Sequence, residues 1–435
     1  MNTLNGLRSL SRRSFTQRLL AGGALAAAAG FPTVLRGAGS PGERVRLGFM
    51  GVNGRGSDLI RGFSALPGVE VAYVCDVDER ALGKGVKAVQ AGAQPADPRT
   101  VKDFRRVLDD PAVDALVVAA PDHWHAPATI LACAAGKHVY VEKPASHNAR
   151  EGEWMVAASR KHRRVVQLGT QRRSSPSIRE GIERLRQGVI GRVLFSRGWY
   201  NNTRTSIGTG HPAPVPGWLD YDLWQGPAPE RAFRDNVVHY NWHWFWHWGT
   251  GELGNNGIHA LDVCRWGLGV DYPTRITAGG GRYRFHDDQE TPDTHTVTFD
   301  FPGSSISWEG RSWHPRGFEG AGFGIAFYGE EGSMIMDGTS YRVYDFQGKE
   351  TGRAEAKGND QLHLQDFIEC IRSGRKPNAD IEEGHKSTLL CHLGNLAWRT
   401  GQTVNLDPKT HRPVGSPAVE ALWGREYREG WMPRV

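Results

Sequence analysis

Cysteine is scarce in this chain and follows no pattern. Among 435 residues there are five cysteines, an odd number without any CxxC spacing. Such a set predicts neither a disulfide framework nor a cysteine-based metal site. Each cysteine lies among apolar neighbours, as in VAYVCDV and TILACAA, so small buried thiols are expected. The five are Cys75, Cys133, Cys264, Cys370 and Cys391.

A surplus of positive charge is missing once the first 40 residues are set aside. The formal net charge is +6, but that first segment carries five arginines and no acidic residue. Subtracting those five charges leaves the remainder at +1. A nearly neutral protein offers no electrostatic footprint for DNA or RNA, so no nucleic-acid partner is expected.

Long apolar runs are also missing, and the one apolar stretch near the start is short. SRRSFTQRLL (11–20) carries paired arginines and leads into LAGGALAAAAGF (20–31). A basic start before a short apolar stretch is typical of a secretory signal, and this pair of arginines resembles the twin-arginine signal. We predict a signal peptide over 1–39, recognition by the twin-arginine export machinery and a periplasmic protein without a stable membrane anchor.

From residue 44 onward, apolar runs alternate with helical patterns. RVRLGFM (44–50) and VEVAYVCD (69–76) bracket the glycine turn GVNGRG and the helical SDLIRGFSAL. DALVVAAP and KHVYVEKP repeat the strand pattern around the helical HAPATILACAAG. This alternation predicts a parallel sheet flanked by helices.

The glycine turn lies where a dinucleotide fold holds its pyrophosphate. Gly51 allows a sharp exit from the strand, and Gly56 allows the next helix to pack closely. The middle glycine of GxGxxG is replaced by Asn53, but Gly54 follows it and keeps close phosphate approach open. Asp76 ends the second strand and can accept both ribose hydroxyls, which favours NAD over NADP.

Several segments in order resemble the Gfo/Idh/MocA family, named for glucose-fructose oxidoreductase and inositol dehydrogenase. They are GVNGRG, AAPDHWHA (119–126), GKHVYVEKP (136–144), GTQRR (169–173), GNNGIHALD (254–262) and HLQDFIECIRSGRKPNADIEEGHKS (363–387). The resemblance implies an α/β Rossmann domain over 40–168 and an α+β substrate domain over 169–410. The second domain is expected to carry a large, mostly antiparallel open sheet. The tail 411–435 would cross either a neighbouring subunit or its own Rossmann domain.

The same resemblance implies roles for individual residues. Lys143 is expected between the nicotinamide ribose and the substrate hydroxyl, where its charge favours a developing alkoxide. Pro144 is expected to follow a cis peptide bond. The implied cofactor-binding residues are Gly51, Asn53, Gly54, Arg55, Gly56, Asp76, Pro121, His125, Glu142, Lys143 and Gln171. The implied substrate-binding residues are Arg172, Trp244, His247 and His259.

The resemblance also identifies a general base. His259 matches the histidine that relatives use toward a substrate hydroxyl, and its ordinary pKa near neutrality suits that task. Four residues earlier many relatives carry an aspartate, whereas this chain has Asn255. An asparagine can orient the imidazole without stabilising its cation, and we count it with Lys143 and His259 as the catalytic set. Asp262 is expected to brace the following helix.

The stretch HWFWHW (243–248) is rich in rings and poor in charge. Its histidines, His243 and His247, have the i, i+4 spacing of a helical metal pair, but no glutamate follows the first, so no metal is expected. Core packing and carbohydrate recognition remain open for these rings. Indole faces stack on the C–H face of a pyranose, and we interpret the stretch as a wall of a sugar pocket.

Three functions are compatible with these residues. The first is an NAD(P)-dependent oxidation of a secondary CH–OH group in a sugar, glycoside or cyclitol. The second is a redox-neutral glycoside hydrolase or lyase that works through a transient keto-sugar, and the third is a non-catalytic sugar-binding relative. Because the periplasm offers no free pool of NAD(H), export implies a tightly bound cofactor. A homo-oligomer is expected from the resemblance.

Overall fold

The protein is described from a computed structural model that covers residues 44–92, 94, 96–356 and 360–435. The predicted twin-arginine segment lies outside these residues. Within the described ranges, no helix has both the length and the apolar character needed to cross a membrane. The described residues from 44 onward fold as one compact unit.

The N-terminal layer is a six-stranded parallel sheet with strand order β3-β2-β1-β4-β5-β6. Its strands are β1 (Val45–Met50), β2 (Val69–Cys75), β3 (Arg99–Val101), β4 (Ala115–Val118), β5 (His138–Val141) and β6 (Val166–Leu168). Its helices are α1 (Arg55–Ser64), α2 (Glu79–Gln90), α3 (Arg105–Leu108), α4 (Asp122–Ala134) and α5 (Ala149–His162). This arrangement confirms the predicted Rossmann fold.

The strand order fixes where a ligand can enter. β1 pairs with β2 on one side and with β4 on the other, so the direction of winding reverses between β1 and β4. The carboxyl ends of the strands then leave a crevice at this switch point. The strands are buried on both faces, as expected for a parallel sheet covered by helices.

The second layer is a nine-stranded sheet of order β14-β13-β12-β11-β7-β10-β9-β8-β15, antiparallel except where β7 pairs with β10. Its strands are β7 (Val193–Asn201), β8 (Arg275–Gly281), β9 (Thr294–Phe301), β10 (Ser304–Arg311), β11 (Phe323–Gly329), β12 (Gly332–Asp337), β13 (Ser340–Asp345), β14 (Glu350–Ala354) and β15 (Val404–Asn405). The predicted large, mostly antiparallel sheet is confirmed.

Helices cover one face of this sheet. The remaining helices are α6 (Pro176–Arg186), α7 (Tyr221–Gln225), α8 (Ile258–Leu268), α9 (Gln361–Ser373), α10 (Ile381–Thr400) and α11 (Pro417–Ala421). Strand β9 alternates buried and accessible residues, and its inward Val297 and Phe299 pack with residues of α8 and α10. Asp262 of α8 accepts from Arg173 at 2.8 Å and from Ser387 at 2.6 Å. Asp262 therefore links α8 to Arg173 and to α10, which agrees with the structural role expected for this carboxylate.

Helix α9 packs against the Rossmann core although it lies late in the chain. Leu364, Phe367 and Ile368 belong to the hydrophobic cluster built by α1 and the first strands. The ring of Phe367 meets that of Phe63 at 6.1 Å. Helix α9 belongs to the stretch 169–410 that was predicted as the substrate domain. Its apolar residues nevertheless complete the hydrophobic core of the Rossmann layer.

Residues of the tail 421–435 contact their own Rossmann domain, which is one of the two placements that the sequence left open. Trp431 meets Trp124 of α4 edge-on at 5.3 Å. The Tyr427 hydroxyl donates to Glu151 of α5 at 2.7 Å. These contacts bury aromatic area that would otherwise be exposed to water.

Candidate active site

The crevice at the switch point opens into a cavity of about 540 Å³. Loops after β1, β2, β4 and β5 form one side, and segments 239–243 and 255–259 form the other. The predicted cofactor residues that line it are Gly51, Asn53, Gly54, Arg55, Asp76, Pro121, His125, Glu142, Lys143 and Gln171. A volume of this size accommodates an organic cofactor or substrate.

The glycine turn is shaped by backbone constraints. Gly51 has φ +83°, and a Cβ there would lie 2.7 Å from Ala119. A Cβ on Gly56 would lie 1.9 Å from the carbonyl oxygen of Gly51, so this residue supports the turn from behind and does not line the cavity. Gly54 has no atom within 4 Å of its Cβ position. Helix α1 begins at Arg55, and its first N–H groups are free for a phosphate, so the turn fits a pyrophosphate.

Asp76 is buried at the end of β2 and lines the same cavity. Its two oxygens accept from the N–H groups of Val52 at 2.7 Å and Asp78 at 2.9 Å. Burial raises the pKa of this carboxyl, and the two N–H donors only partly offset that effect. Because a carboxylate has about four acceptor positions, each oxygen keeps one for a ribose hydroxyl.

An ion pair lies on the floor of the cleft. Arg55 Nε donates to Glu142 Oε1 at 2.9 Å, and Arg55 Nη1 lies 2.5 Å from Asp360. Burial by itself raises the pKa of Glu142, but Arg55 and Lys143 outweigh it, so the pKa is lowered and the carboxylate is ionised. The pair therefore neutralises charge that would otherwise face the cavity.

Lys143 is anchored by one residue from the opposite side of the cleft. Its Nζ donates to the backbone oxygen of Asn255 at 3.0 Å and to Oδ1 of the same residue at 2.9 Å. The Lys143–Pro144 peptide bond is cis, and His125 Nδ1 lies 2.6 Å from the Pro144 oxygen. Burial lowers the pKa of Lys143, with Glu142 acting in the opposite direction.

His259 lies in the first turn of α8 and lines the cleft. Its buried Nδ1 has no hydrogen-bond partner among the described side chains and backbone. Burial, followed by the charges of Arg172 and Lys143, holds the pKa of His259 well below its ordinary value. The imidazole is therefore neutral near pH 7, and it is a weaker base than the ordinary pKa near neutrality assumed from the sequence.

The side chain of Asn255 makes no hydrogen bond to His259 in the described structure, although the sequence indicated that it could orient this imidazole. Its oxygen is taken by Lys143, and its Nδ2 donates to Glu252 at 3.4 Å. The reason is local geometry, because residues Leu253–Gly257 form a π-helical turn. A π turn bonds residues five apart, so side chains four apart no longer stack as in an α-helix.

The ring-rich stretch is divided between three environments. Trp242 and His243 line the cleft with their rings stacked 3.6 Å apart. Trp244 is buried, with Arg204 4.8 Å from its ring, and His247 lines a separate cavity. The predicted substrate contacts at Trp244 and His247 are therefore not in the cleft, because the short 3₁₀ turn Asn241–Trp244 turns successive rings in different directions.

Arg172 also lies away from the cleft lining, with its guanidinium 4.2 Å from the ring of Phe323. His243 and His247 do not converge, and no group of three or more metal-binding side chains occurs in the part of the chain that is described. All five cysteines are free and buried.

Other cleft residues were not identified from the sequence. Asn256 lines the cavity and donates to Glu252, which in turn accepts from Arg204 Nε at 2.5 Å. Tyr240, with φ +76°, presents a hydroxyl that accepts from the same arginine at 2.6 Å. The chain brings these groups together through a long loop, and the only sequence signal was the density of rings nearby.

The Rossmann layer, the glycine turn and the lysine–histidine cleft define an NAD-binding oxidoreductase. The chain belongs to the Gfo/Idh/MocA oxidoreductase family. The model of its NAD-binding Rossmann fold matches residues 45–170, and the model of its C-terminal alpha/beta domain matches residues 197–316. The expectation of an enzyme is thereby confirmed.

Proteins that are similar to this chain over most of its length include a dehydrogenase and a glycosyl hydrolase. Inositol 2-dehydrogenase 2 of Saccharopolyspora erythraea is 30% identical over 86% of this chain and 99% of that protein. A glycosyl hydrolase family 109 protein of Parabacteroides distasonis is 26% identical over 90% of this chain and 94% of that protein. Another family 109 protein, from Saccharopolyspora erythraea, is 36% identical, but the match covers 36% of this chain and 35% of that protein.

Solved structures share the fold. An aldose-aldose oxidoreductase from Caulobacter crescentus, complexed with glycerol, gives a TM-score of 0.63 at 22% identity over 83% of this chain and 100% of that chain. Levoglucosan dehydrogenase, in complex with NADH and levoglucosan, gives a TM-score of 0.66 at 17% identity over 83% of this chain and 99% of that chain.

Proposed function

We propose that this protein oxidises a secondary CH–OH group of a sugar, glycoside or cyclitol with a tightly bound NAD. The observation that carries the proposal is the anchored Lys143, in the same cleft as the neutral His259. The names of the relatives support the substrate class, since they include dehydrogenases of inositol and levoglucosan.

The two residues have distinct tasks in such a reaction. An ammonium group has three N–H donors, and Asn255 takes two of those on Lys143. The third is free to donate to a substrate oxygen, and its charge favours the alkoxide. His259, being neutral, accepts the hydroxyl proton. Bound NAD would supply the acceptor for hydride.

The lining of the cleft favours a neutral substrate. Its charged side chains are of both signs, with Arg55 paired to Glu142; the positive ones are Arg55, Lys102 and Lys143, and the negative ones are Asp76, Asp103, Asp122 and Glu142. Trp242 and His243 add flat rings, and Asn256 adds an amide beside them. Rings for C–H faces and neutral polar groups for hydroxyls are what a sugar or cyclitol requires.

Cofactor choice and retention follow from two neighbouring features. The carboxylate of Asp76 would repel a 2′-phosphate, which favours NAD over NADP. The segment 202–250 reaches across to the residues next to it: His239 Nε2 lies 2.7 Å from Asp78 Oδ2, and Asp220 N donates to Val77 O at 2.9 Å. Such a cover supports slow release of the dinucleotide.

A second function is favoured by the family 109 match over 90% of this chain. In that case the same cleft would oxidise one carbon of a glycoside, let the aglycone leave by elimination, and return the hydride after water adds. Lys143 and His259 would serve both functions, because each function begins with removal of hydride and a proton from one CH–OH group.

Export by the twin-arginine machinery to the periplasm is also a proposal, and it rests on residues 1–39 alone. It predicts that replacing Arg12 and Arg13 by lysine retains the protein in the cytoplasm, as measured by cell fractionation. Periplasmic recovery of that variant would contradict it. Homo-oligomer formation remains a prediction that sedimentation can test.

The deciding experiment uses the purified protein as isolated, without added nucleotide, and a panel of free sugars, cyclitols and aryl glycosides. We expect a rise in reduced-nicotinamide absorbance with one class of polyol. Release of aglycone over many turnovers without net reduction would instead establish the glycosidase. Absence of both, with NAD shown to be bound, would refute both functions.

A matched pair of variants locates the chemistry. Lys143→Met should abolish turnover while NAD stays bound. Lys137→Met is the control, because Lys137 is another buried lysine whose Nζ donates to two carbonyls, at 2.7 and 2.8 Å, away from the cleft. The Lys137→Met variant should unfold at a lower temperature than the wild type but retain its turnover. Full turnover in Lys143→Met would remove this lysine from the mechanism.

A further inference from the structure

A second cavity, of about 340 Å³, lies apart from the cleft. Its walls are the start of α5, the end of α10, the loops 229–231 and 246–250, and the tail segment 421–426. Thr250 separates it from the cleft: the backbone oxygen of Thr250 accepts from Asn395 at 2.8 Å, and its hydroxyl donates to Asp122 at 2.6 Å. The tail therefore encloses a space that the proposed chemistry does not use.

Three arginines surround this second cavity. Arg231 lies 3.9 Å from Glu290, but neither Arg399 nor Arg425 has a carboxylate within ion-pair distance among the described residues. The guanidinium of Arg425 instead lies 3.4 Å from His147 Nδ1 and donates through Nε to a backbone oxygen at 3.2 Å. Guanidinium groups at a cavity wall without a carboxylate partner indicate a place for an anion.

The buried carboxyl of Glu151 is not among the residues that line this cavity. Glu151 accepts from the backbone N–H of His147 at 2.9 Å and from the Tyr427 hydroxyl at 2.7 Å. Burial raises its pKa, although Arg425 acts in the opposite direction. Glu426 is the one acidic residue that lines the cavity, and it is exposed. The lining therefore has an excess of positive charge.

Neutral polar groups complete the walls. Asn148 is 6% exposed, and its Nδ2 meets no acceptor with full hydrogen-bond geometry in the described structure, although Glu151 and Tyr427 lie close enough to interact with this side chain. The rings of His147, His247 and His392 also line the cavity. Burial, then the charge of Arg231, lowers the pKa of His247 to about 4, so this ring is a neutral hydrogen-bonding group near pH 7. A buried amide without a well-aligned acceptor costs free energy unless a ligand satisfies it.

Trp246 supplies the flat surface. Its half-buried indole lines the second cavity, with the guanidinium of Arg399 4.8 Å from its ring. An aromatic face, the amide of Asn148 and two guanidinium groups without a carboxylate partner together match a ligand with C–H faces, hydroxyls and a negative charge. The volume is near the lower end of those found for small-molecule pockets.

We propose that the second cavity binds an anionic monosaccharide, in which a carboxylate or phosphate pairs with Arg425 and Arg399 while the ring lies against Trp246. The proposal is independent of the reaction in the cleft, because none of these three residues lines it. A sugar acid and a sugar phosphate share the required chemistry, and the experiment distinguishes them.

The test is calorimetric titration of the protein as isolated with glucuronate, glucose 6-phosphate, inorganic phosphate and glucose. We expect glucuronate or glucose 6-phosphate to bind, and glucose to bind at least about tenfold more weakly, since a hydrogen bond to a charged group contributes roughly 1.5–3 kcal/mol. Arg425→Gln and, separately, Arg399→Gln should each weaken the anionic sugar about tenfold or more.

Arg428→Gln is the matched control, because Arg428 is a tail arginine that pairs with Asp222 and Glu230 outside the cavity. It should leave the affinity unchanged, and circular dichroism with bound-NAD content should show that all variants fold. The proposal would be overturned if neither anionic sugar bound, or if Arg425→Gln and Arg399→Gln both bound the sugar as tightly as the wild type does. It would also be overturned if inorganic phosphate bound as tightly as either sugar.

Discussion

Asn255 carries no charge, yet it holds the one lysine of the catalytic set with two acceptors. Burial already lowers the pKa of Lys143, so this group loses its proton at a lower pH than an exposed lysine does. Turnover that needs the ammonium form must decline as the pH rises through that pKa. The pKa of Lys143 thus sets the expected upper pH limit of the reaction, and the neutral Asn255 adds no charge that would raise this pKa.

Asn255→Asp should extend activity to higher pH. A carboxylate at Oδ1, 2.9 Å from Nζ in the native residue, favours the ammonium form and raises the pKa of Lys143. In a profile of kcat/KM against pH, the decline on the alkaline side should shift to higher pH. Asn255→Ser removes the amide without adding charge and should not produce that movement. An unchanged alkaline decline in Asn255→Asp would show that Lys143 ionisation does not limit the rate.

Asp76→Ser should weaken NAD binding and reduce the preference for NAD over NADP. The expected loss is about tenfold or more, because hydrogen bonds to a charged acceptor are removed. Dissociation constants for both dinucleotides measure the effect. Asp114→Ser is the control, since Asp114 also accepts a backbone N–H, at 2.7 Å from Arg46, but lies away from the cleft. Equal affinities in wild type and Asp76→Ser would refute the ribose assignment.

Short elements and loops place the cleft's second wall. The 3₁₀ turn at 241–244 and the π turn at 253–257 give neighbouring residues directions that no regular helix would give. The segment 202–250 crosses to the end of β2, where Arg80 lies 3.3 Å from the ring of Trp218 beside the His239–Asp78 contact. At the end of β2 this segment is held by two side-chain contacts, Arg80 with Trp218 and His239 with Asp78, so a single substitution there should loosen this edge of the cover.

His239→Ala should release bound NAD roughly tenfold faster, because it removes a hydrogen bond to the ionised Asp78. Arg80 and His239 hold the pKa of Asp78 at about 2 against the effect of burial, so this carboxylate is charged at neutral pH. Exchange of bound NAD for labelled NAD gives the rate. His211→Ala, an exposed histidine of the same segment, should leave it unchanged. Equal exchange rates in all three proteins would show that the cover does not retain the cofactor.

The molecule as a whole buries several histidines in neutral form. His392 is one of them: its Nε2 lies 3.1 Å from the Ser146 hydroxyl, and burial lowers its pKa from 6.5 to about 3. As the pH falls below 6.5, the unfolded chain binds a proton that the folded chain does not. The folded state therefore loses stability between that pH and about 3.

His392→Asn should make the free energy of unfolding less dependent on pH. The single group accounts for roughly 2 kcal/mol of lost stability between about pH 7 and about pH 5. Denaturant unfolding at the two pH values measures the difference between wild type and variant. His286→Asn, at an exposed position, should follow the wild type. An identical pH dependence in His392→Asn and wild type would show that His392 does not cause the loss of stability at low pH.

The Rossmann layer, the glycine turn and Asp76 could be predicted from the sequence, because hydrophobic period and turn chemistry are local properties of a chain. Lys143 and His259 followed from the resemblance of ordered motifs to a family. Only the folded chain shows that Asn255 binds Lys143, that His247 lines a second cavity, and that α9 completes the Rossmann core. Each of these depends on contacts between segments far apart in sequence or on irregular turns. Residue spacing predicts neither the long-range contacts nor the irregular turns, because the direction of a side chain is fixed only when its element packs against another.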